Sequence, residues 1–151
     1  MADGTVVLIS IAPAGGGATA STDQVRAVAG RGLEGDRYFN KAGTFSNSPG
    51  VGREVTLIES EAIDAVARDC GCELEYKDTR RNIVTRGVAL NDLVDKEFRV
   101  GDVRMRGIRL CDPCKISFPD ANVKQALVSR GGLRADILND GEIRIGDSVM
   151  I

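Results

Sequence analysis

The residues best equipped for chemistry are the two cysteines of Arg109-Leu110-Cys111-Asp112-Pro113-Cys114-Lys115. A thiol acts as a nucleophile or metal ligand only as its thiolate, and nearby Arg and Lys lower its pKa. A Cys-x-x-Cys spacing fits half of a zinc site, a dithiol redox pair, or buried small apolar side chains. A zinc site would also need Cys70 and Cys72, whose Cys-x-Cys spacing is poor for it. Cys70 moreover falls at helical spacing with Ile63, Val66 and Ala67, which marks it as core. A redox pair normally opens a helix after a strand, whereas Pro113 and strand-rich surroundings follow here. These points favour a single working thiolate over the zinc and redox readings, which stay as alternatives. Pro113 cannot donate to a sheet ladder, so the chain leaves its sheet there, and Cys114 emerges in the turn beside Lys115. Cys111 continues the preceding strand, where its side chain packs.

The basic residues are the second chemical resource. The chain has 20 Lys and Arg against 22 Asp and Glu, too even a balance for general binding to nucleic acid or a membrane surface. Arginine dominates the basic set, and its planar fork suits phosphate and carboxylate. Two clusters stand out. Gly32-Leu33-Glu34-Gly35-Asp36-Arg37-Tyr38 reads as a sharply turned segment that fixes an Arg, or else as a turn with a surface ion pair. Arg80-Arg81-Asn82-Ile83-Val84-Thr85 brings adjacent arginines into a strand, where they face opposite ways. There is no histidine, which removes the commonest general base and zinc ligand.

The elements that must position these groups read as mainly β, in a single domain over residues 1–151. Strands are expected at 5–12, 24–29, 53–59, 83–85, 98–110, 133–138, 142–145 and 148–151. Pro13–Ser21, with Gly15-Gly16-Gly17, is a flexible loop, and Asn40–Gly52 is another. A helix capped by Ser60 ends at Gly71, and a second spans Asp120–Arg130. Ala89–Leu93 reads as one helical turn. In 98–110 the apolar phase skips at Gly107, which predicts a β-bulge that re-aims Arg109. Phe98–Met105 and Ile143–Met150 echo one another as two strand–turn–strand corners. The apolar run Val6–Ile11 is too short for a signal-peptide core or a membrane span, which gives an expectation of a cytoplasmic location. These features together suggest a mixed β-barrel with two short helices.

Four motifs occur in one order: Gly-Leu-Glu-Gly-Asp-Arg-Tyr, Arg-Arg-Asn-Ile-Val-Thr followed by Phe98-Arg-Val-Gly-Asp, Cys-Asp-Pro-Cys-Lys, and Gly131-Gly-Leu-Arg-Ala135. This order resembles MOSC domains, named after the C-terminal part of molybdenum-cofactor sulfurases. The resemblance runs from about Val6 to Ile151. It implies a mixed β-barrel that binds the molybdenum cofactor and uses a cysteine as molybdenum ligand or sulfur carrier, in cofactor sulfuration or in reduction of N-hydroxylated compounds. By position, that cysteine is Cys114. The residues holding the cofactor's phosphate would be Arg80 and Asn82, with Arg81 the neighbouring alternative. Asp36, Arg37 and Arg134 fall in further family motifs. Relatives often carry His where this chain has Tyr38. The pyridoxal-phosphate desulfurase domain of full sulfurases has no counterpart here, so a separate cysteine desulfurase or an electron-transfer protein is the implied partner. A non-catalytic binding barrel and a cysteine-based zinc module are the competing classes.

Overall fold

The computed structural model describes residues 4–11, 20–36, 54–71, 81–110 and 132–151. The second helix expected at Asp120–Arg130, residues 13–19 of the loop expected at Pro13–Ser21, the loop at 40–52, and Arg37, Tyr38, Cys72, Arg80, Cys111 and Cys114 lie outside the described residues, as does the side chain of Cys70. The end of the first loop is corrected, because Ala20 and Ser21 pair with Ile11 and Ser10 as part of a strand.

The strands are β1 (Gly4–Ile11), β2 (Ala20–Thr22), β3 (Gln24–Val28), β4 (Gly32–Leu33), β5 (Val55–Glu59), β6 (Ile83–Arg86), β7 (Glu97–Val100), β8 (Val103–Leu110), β9 (Leu133–Ile137), β10 (Gly141–Arg144) and β11 (Ser148–Met150). They pair in the order β11-β7-β8-β9-β5-β6-β1, and β11 pairs again with β1 to close a seven-stranded barrel. The β5–β6 pairing is parallel and the others are antiparallel, which makes the barrel mixed. Closure pairs every barrel strand on both sides. β2 extends the sheet from β1, while β10, β3 and β4 form a separate small sheet.

Alternation places Val6, Ile9, Leu57, Ile83, Val100, Val103, Met105, Leu133, Ala135 and Val149 in one buried cluster inside the barrel. Helix α1 (Ser60–Cys70) packs on β5 and β6 from outside. Its Ile63 and Val66 are fully buried, as are Ile58 and Val84 on the opposite parity of those strands. Gly71 ends the helix at φ 63 with its N–H donating back to Arg68 O. The start differs from expectation. Glu59 occupies the N-cap position without a side-chain cap bond, and the Ser60 hydroxyl donates instead to Glu61 Oε1 at 3.2 Å.

The single strand expected over 98–110 is a hairpin, broken at Gly101-Asp102 with Gly101 at φ 60. A two-residue turn with glycine at a positive φ matches the right-handed twist of the strands it joins. The bulge at Gly107 is present, with the β8–β9 register shifting between Gly107 and Arg109. A Cβ at Gly107 would overlap the Leu93 carbonyl, so the bulge sits where the 3₁₀ turn Leu90–Leu93 crosses β8.

One carboxyl ties the small sheet to the barrel. Glu54 Oε1 accepts from Gly30 N and from Ile137 N, both at 3.0 Å. Desolvation by burial, then repulsion from Asp136, push the Glu54 pKa from 4.5 up to about 7. A side-chain hydrogen bond with Asp136 adds to the rise. A folded-state pKa above the unfolded one means that this group favours folding below pH 4.5 and loses that contribution as pH rises through about 7. Wild-type stability relative to Glu54→Gln should therefore fall between those pH values. Gln keeps the acceptor and a neutral donor. Urea midpoints against pH for both proteins check this, and parallel profiles would contradict it.

Candidate functional site

The strand pairings bring distant candidates into one transverse row. On β1, Ile9 points into the core and the next residue, Ser10, faces out. Ser10 pairs with Ser21 of β2 on one side. On the other, its N–H donates to the Asn82 carbonyl at 2.7 Å. Ile83 pairs with both Ile9 and Leu57, which sets Asn82 between Ser10 and Thr56. Thr56 pairs with Arg134 of β9, and Arg134 pairs with Arg109 of β8. Paired residues share a face, and the neighbours Leu57, Ile83 and Ala135 point inward. The row Ser10–Asn82–Thr56–Arg134–Arg109 therefore runs across the outer wall of the barrel.

Asn82 is the structural centre of this row. Its Oδ1 accepts from Thr56 N at 3.0 Å and Thr56 Oγ1 at 3.1 Å, and its Nδ2 donates to Ser10 O at 3.2 Å. Its own N–H donates to Thr56 Oγ1 at 3.0 Å. A primary amide carries two N–H donors, so one remains for a ligand. Beside it, Ser10 is only 2% exposed, yet among the described residues its Oγ has no hydrogen-bond partner. Buried hydroxyls are normally satisfied, and an orphaned one next to a spare amide donor fits an absent oxyanion. At the other end, half-buried Arg134 and exposed Arg109 stand on adjacent strands. Like charges set opposite each other repel, and an anion between them relieves that repulsion.

The row thus collects Asn82 and Arg134 directly. In sequence, Arg80 is two residues before Asn82, and Cys114 is five after Arg109. Arg81, the alternative to Arg80, is 5% exposed. Asp36 is fully buried, so the surface ion-pair alternative does not describe its carboxylate. It follows a turn with Gly32 at φ 122 and Gly35 at φ 88. Gly35 lies against Ile11 at the end of β1, where an added Cβ would stand 3.2 Å from Ile11 Cδ1. Leu110, the last residue of β8, is 37% exposed.

Ser10, Thr56 and Glu54 were not among the sequence candidates. Ser10 and Thr56 alternate with apolar residues and read as ordinary outward strand positions. Only their hydrogen bonds with Asn82, 72 and 26 residues away in sequence, reveal them. Among the described residues no group of three or more His, Cys, Asp or Glu could hold a metal ion, and no helix is long and apolar enough to cross a membrane.

The fold recurs in solved structures. The YuaD protein of Bacillus subtilis superposes with a TM-score of 0.78 at 16% identity, over 97% of this chain and 94% of that one. YiiM from Geobacillus stearothermophilus gives 0.73 at 14% identity, over 97% and 74% of the two chains. YiiM from Escherichia coli gives 0.62 at 16% identity, over 97% and 68%. No curated protein matches significantly. The family model for the MOSC domain matches residues 44–150, well over half of the sequence, and with the mixed barrel and the ordered motifs this shows that the chain belongs to the MOSC domain family.

Proposed function

We propose that this MOSC domain binds the molybdenum cofactor on the outer wall of its barrel. The observation that carries the proposal is the transverse row, which sets Asn82, Arg134 and Arg109 on one face, beside the points where the segments bearing Arg80 and Cys114 join the barrel. The donors fit the group. Arg80, Asn82 and Arg134 supply fixed charge-assisted hydrogen bonds to the terminal phosphate of the pterin. Arg81, buried, braces the entry to β6. The family resemblance adds Asp36 and Arg37 to these, and Asp36 follows Gly35, which lies against Ile11 at the end of β1. Cys114 supplies a soft thiolate, either as molybdenum ligand or as carrier of sulfur to the metal. Bound there, the cofactor would provide two-electron redox and oxo- or sulfido-transfer chemistry. The chain's own work is to bind the anion, orient the pterin and hold Cys114 deprotonated among cations. A separate cysteine desulfurase supplies sulfur for sulfuration, or an electron-transfer protein supplies electrons for N-hydroxyl reduction.

Arg80→Ala tests the phosphate assignment. The substitution should weaken cofactor or phosphate binding by about 1.5–3 kcal/mol, the worth of a hydrogen bond to a charged group, while thermal stability changes little. Titration of the folded variant reads this directly. Unchanged affinity would remove Arg80 from the site and make Arg81 the anchoring guanidinium.

A further inference from the structure

We propose that Ser10 is an anion-binding residue, whose hydroxyl donates to a phosphate monoester oxygen alongside the spare amide hydrogen of Asn82. The inference rests on the cofactor site above and adds to it a residue from the first strand. Three observations support it. Ser10 is only 2% exposed and its Oγ lacks any hydrogen-bond partner among the described residues. Strand alternation turns it to the outer wall, away from the core that holds Ile9. Its backbone is already clamped to Asn82 by two hydrogen bonds, Ser10 N to Asn82 O at 2.7 Å and Asn82 Nδ2 to Ser10 O at 3.2 Å. A side chain whose backbone is fixed this firmly loses little entropy on meeting a ligand. A serine hydroxyl suits the task because it donates to a charged phosphate oxygen without adding charge, and it can rotate to accept from a protonated one.

A purely structural serine and a ligand-binding serine respond oppositely to Ser10→Ala. Removing a buried hydroxyl that has no partner costs the folded state no hydrogen bond, so the free variant should melt at or above the wild-type temperature. The same substitution should weaken binding of inorganic phosphate, and of isolated molybdenum cofactor, by about tenfold or more. It should also shrink the phosphate-induced rise in melting temperature. Ser21→Ala, one strand further along the row, should leave both unchanged. Isothermal titration and thermal melts of wild type and the two variants, at matched ionic strength, give the readouts. If the wild type binds phosphate and Ser10→Ala binds it equally well, Ser10 is not part of the site, while the cofactor reading stands. If Ser10→Ala melts clearly lower without ligand, its hydroxyl is structural and the assignment fails. If wild type binds neither phosphate nor cofactor, the parent reading fails and takes this one with it.

Discussion

Cys114→Ser protein, produced in a host that makes the molybdenum cofactor, should retain almost no molybdenum and form no persulfide when offered a sulfane-sulfur donor. Cys111→Ser should keep most of both. Serine preserves shape but is a harder, far less acidic ligand, so the loss isolates thiolate character from packing. The two cysteines are expected to differ because Pro113, which stands between them in sequence, cannot donate to a sheet ladder. Arg109 lies on the outer wall beside Arg134, so the strand that leads to these cysteines ends among cations. Positive neighbours favour thiolate without a histidine base, and the chain has none. The alkylation rate of Cys114 in cofactor-free protein should therefore titrate below the ordinary thiol value of about 8.5. A dead Cys111→Ser with a normal Cys114→Ser would move the function by one cysteine. Normal loading by both would leave the phosphate contacts as the only hold on the cofactor.

Asn82→Ala should be among the most destabilising single substitutions in the chain. It strands the Thr56 N–H, the Thr56 hydroxyl and the Ser10 carbonyl, all buried, after removing three side-chain hydrogen bonds. Each buried polar group left unsatisfied costs about 1–3 kcal/mol, so the total should exceed about 3 kcal/mol. Because Asn82 joins β1, β5 and β6, the loss falls on the barrel wall that carries the site. Asn82→Asp keeps the acceptor toward Thr56 but turns a second oxygen toward the Ser10 carbonyl, where the amide had donated. It should fall between Ala and wild type, and should worsen as pH rises and the buried carboxylate ionises. Denaturant midpoints for the three proteins check the order. A near-neutral Asn82→Ala would mean that the amide serves the ligand alone.

If Asn82 also serves the proposed ligand, its structural bonds make it a poor probe of binding, and Arg80 and Ser10 are better ones. It also shows where the sequence was legible. The bulge at Gly107 could be read because alternation is local, and a skipped phase shows up within six residues. The αL stop at Gly71 could be read for the same reason. The barrel class followed from frequent short apolar runs broken by glycine. The hairpin break at Gly101-Asp102 was hidden by apolar alternation that runs through the turn, and the two-residue strand β4 is too short to carry any pattern. The helix start misled because Ser60 is a good cap by type, yet Glu59 already holds that position and Glu61 draws the hydroxyl away. The site itself was half visible. Motif order marked Asn82 and Arg134, but their alignment depends on the register of five strands drawn from across the chain, which no local pattern encodes. Asp36 was marked by its glycines, while its full burial shows only in the folded chain.

The most direct test of cofactor binding is elemental: molybdenum and phosphorus content of the full-length protein purified from a cofactor-competent host, after removal of free phosphate. Molybdenum and phosphorus in equal amounts, approaching one of each per chain and both reduced in Arg80→Ala, is the expected result. Protein that carries neither, or that carries one zinc per chain and unfolds on chelation, would contradict it.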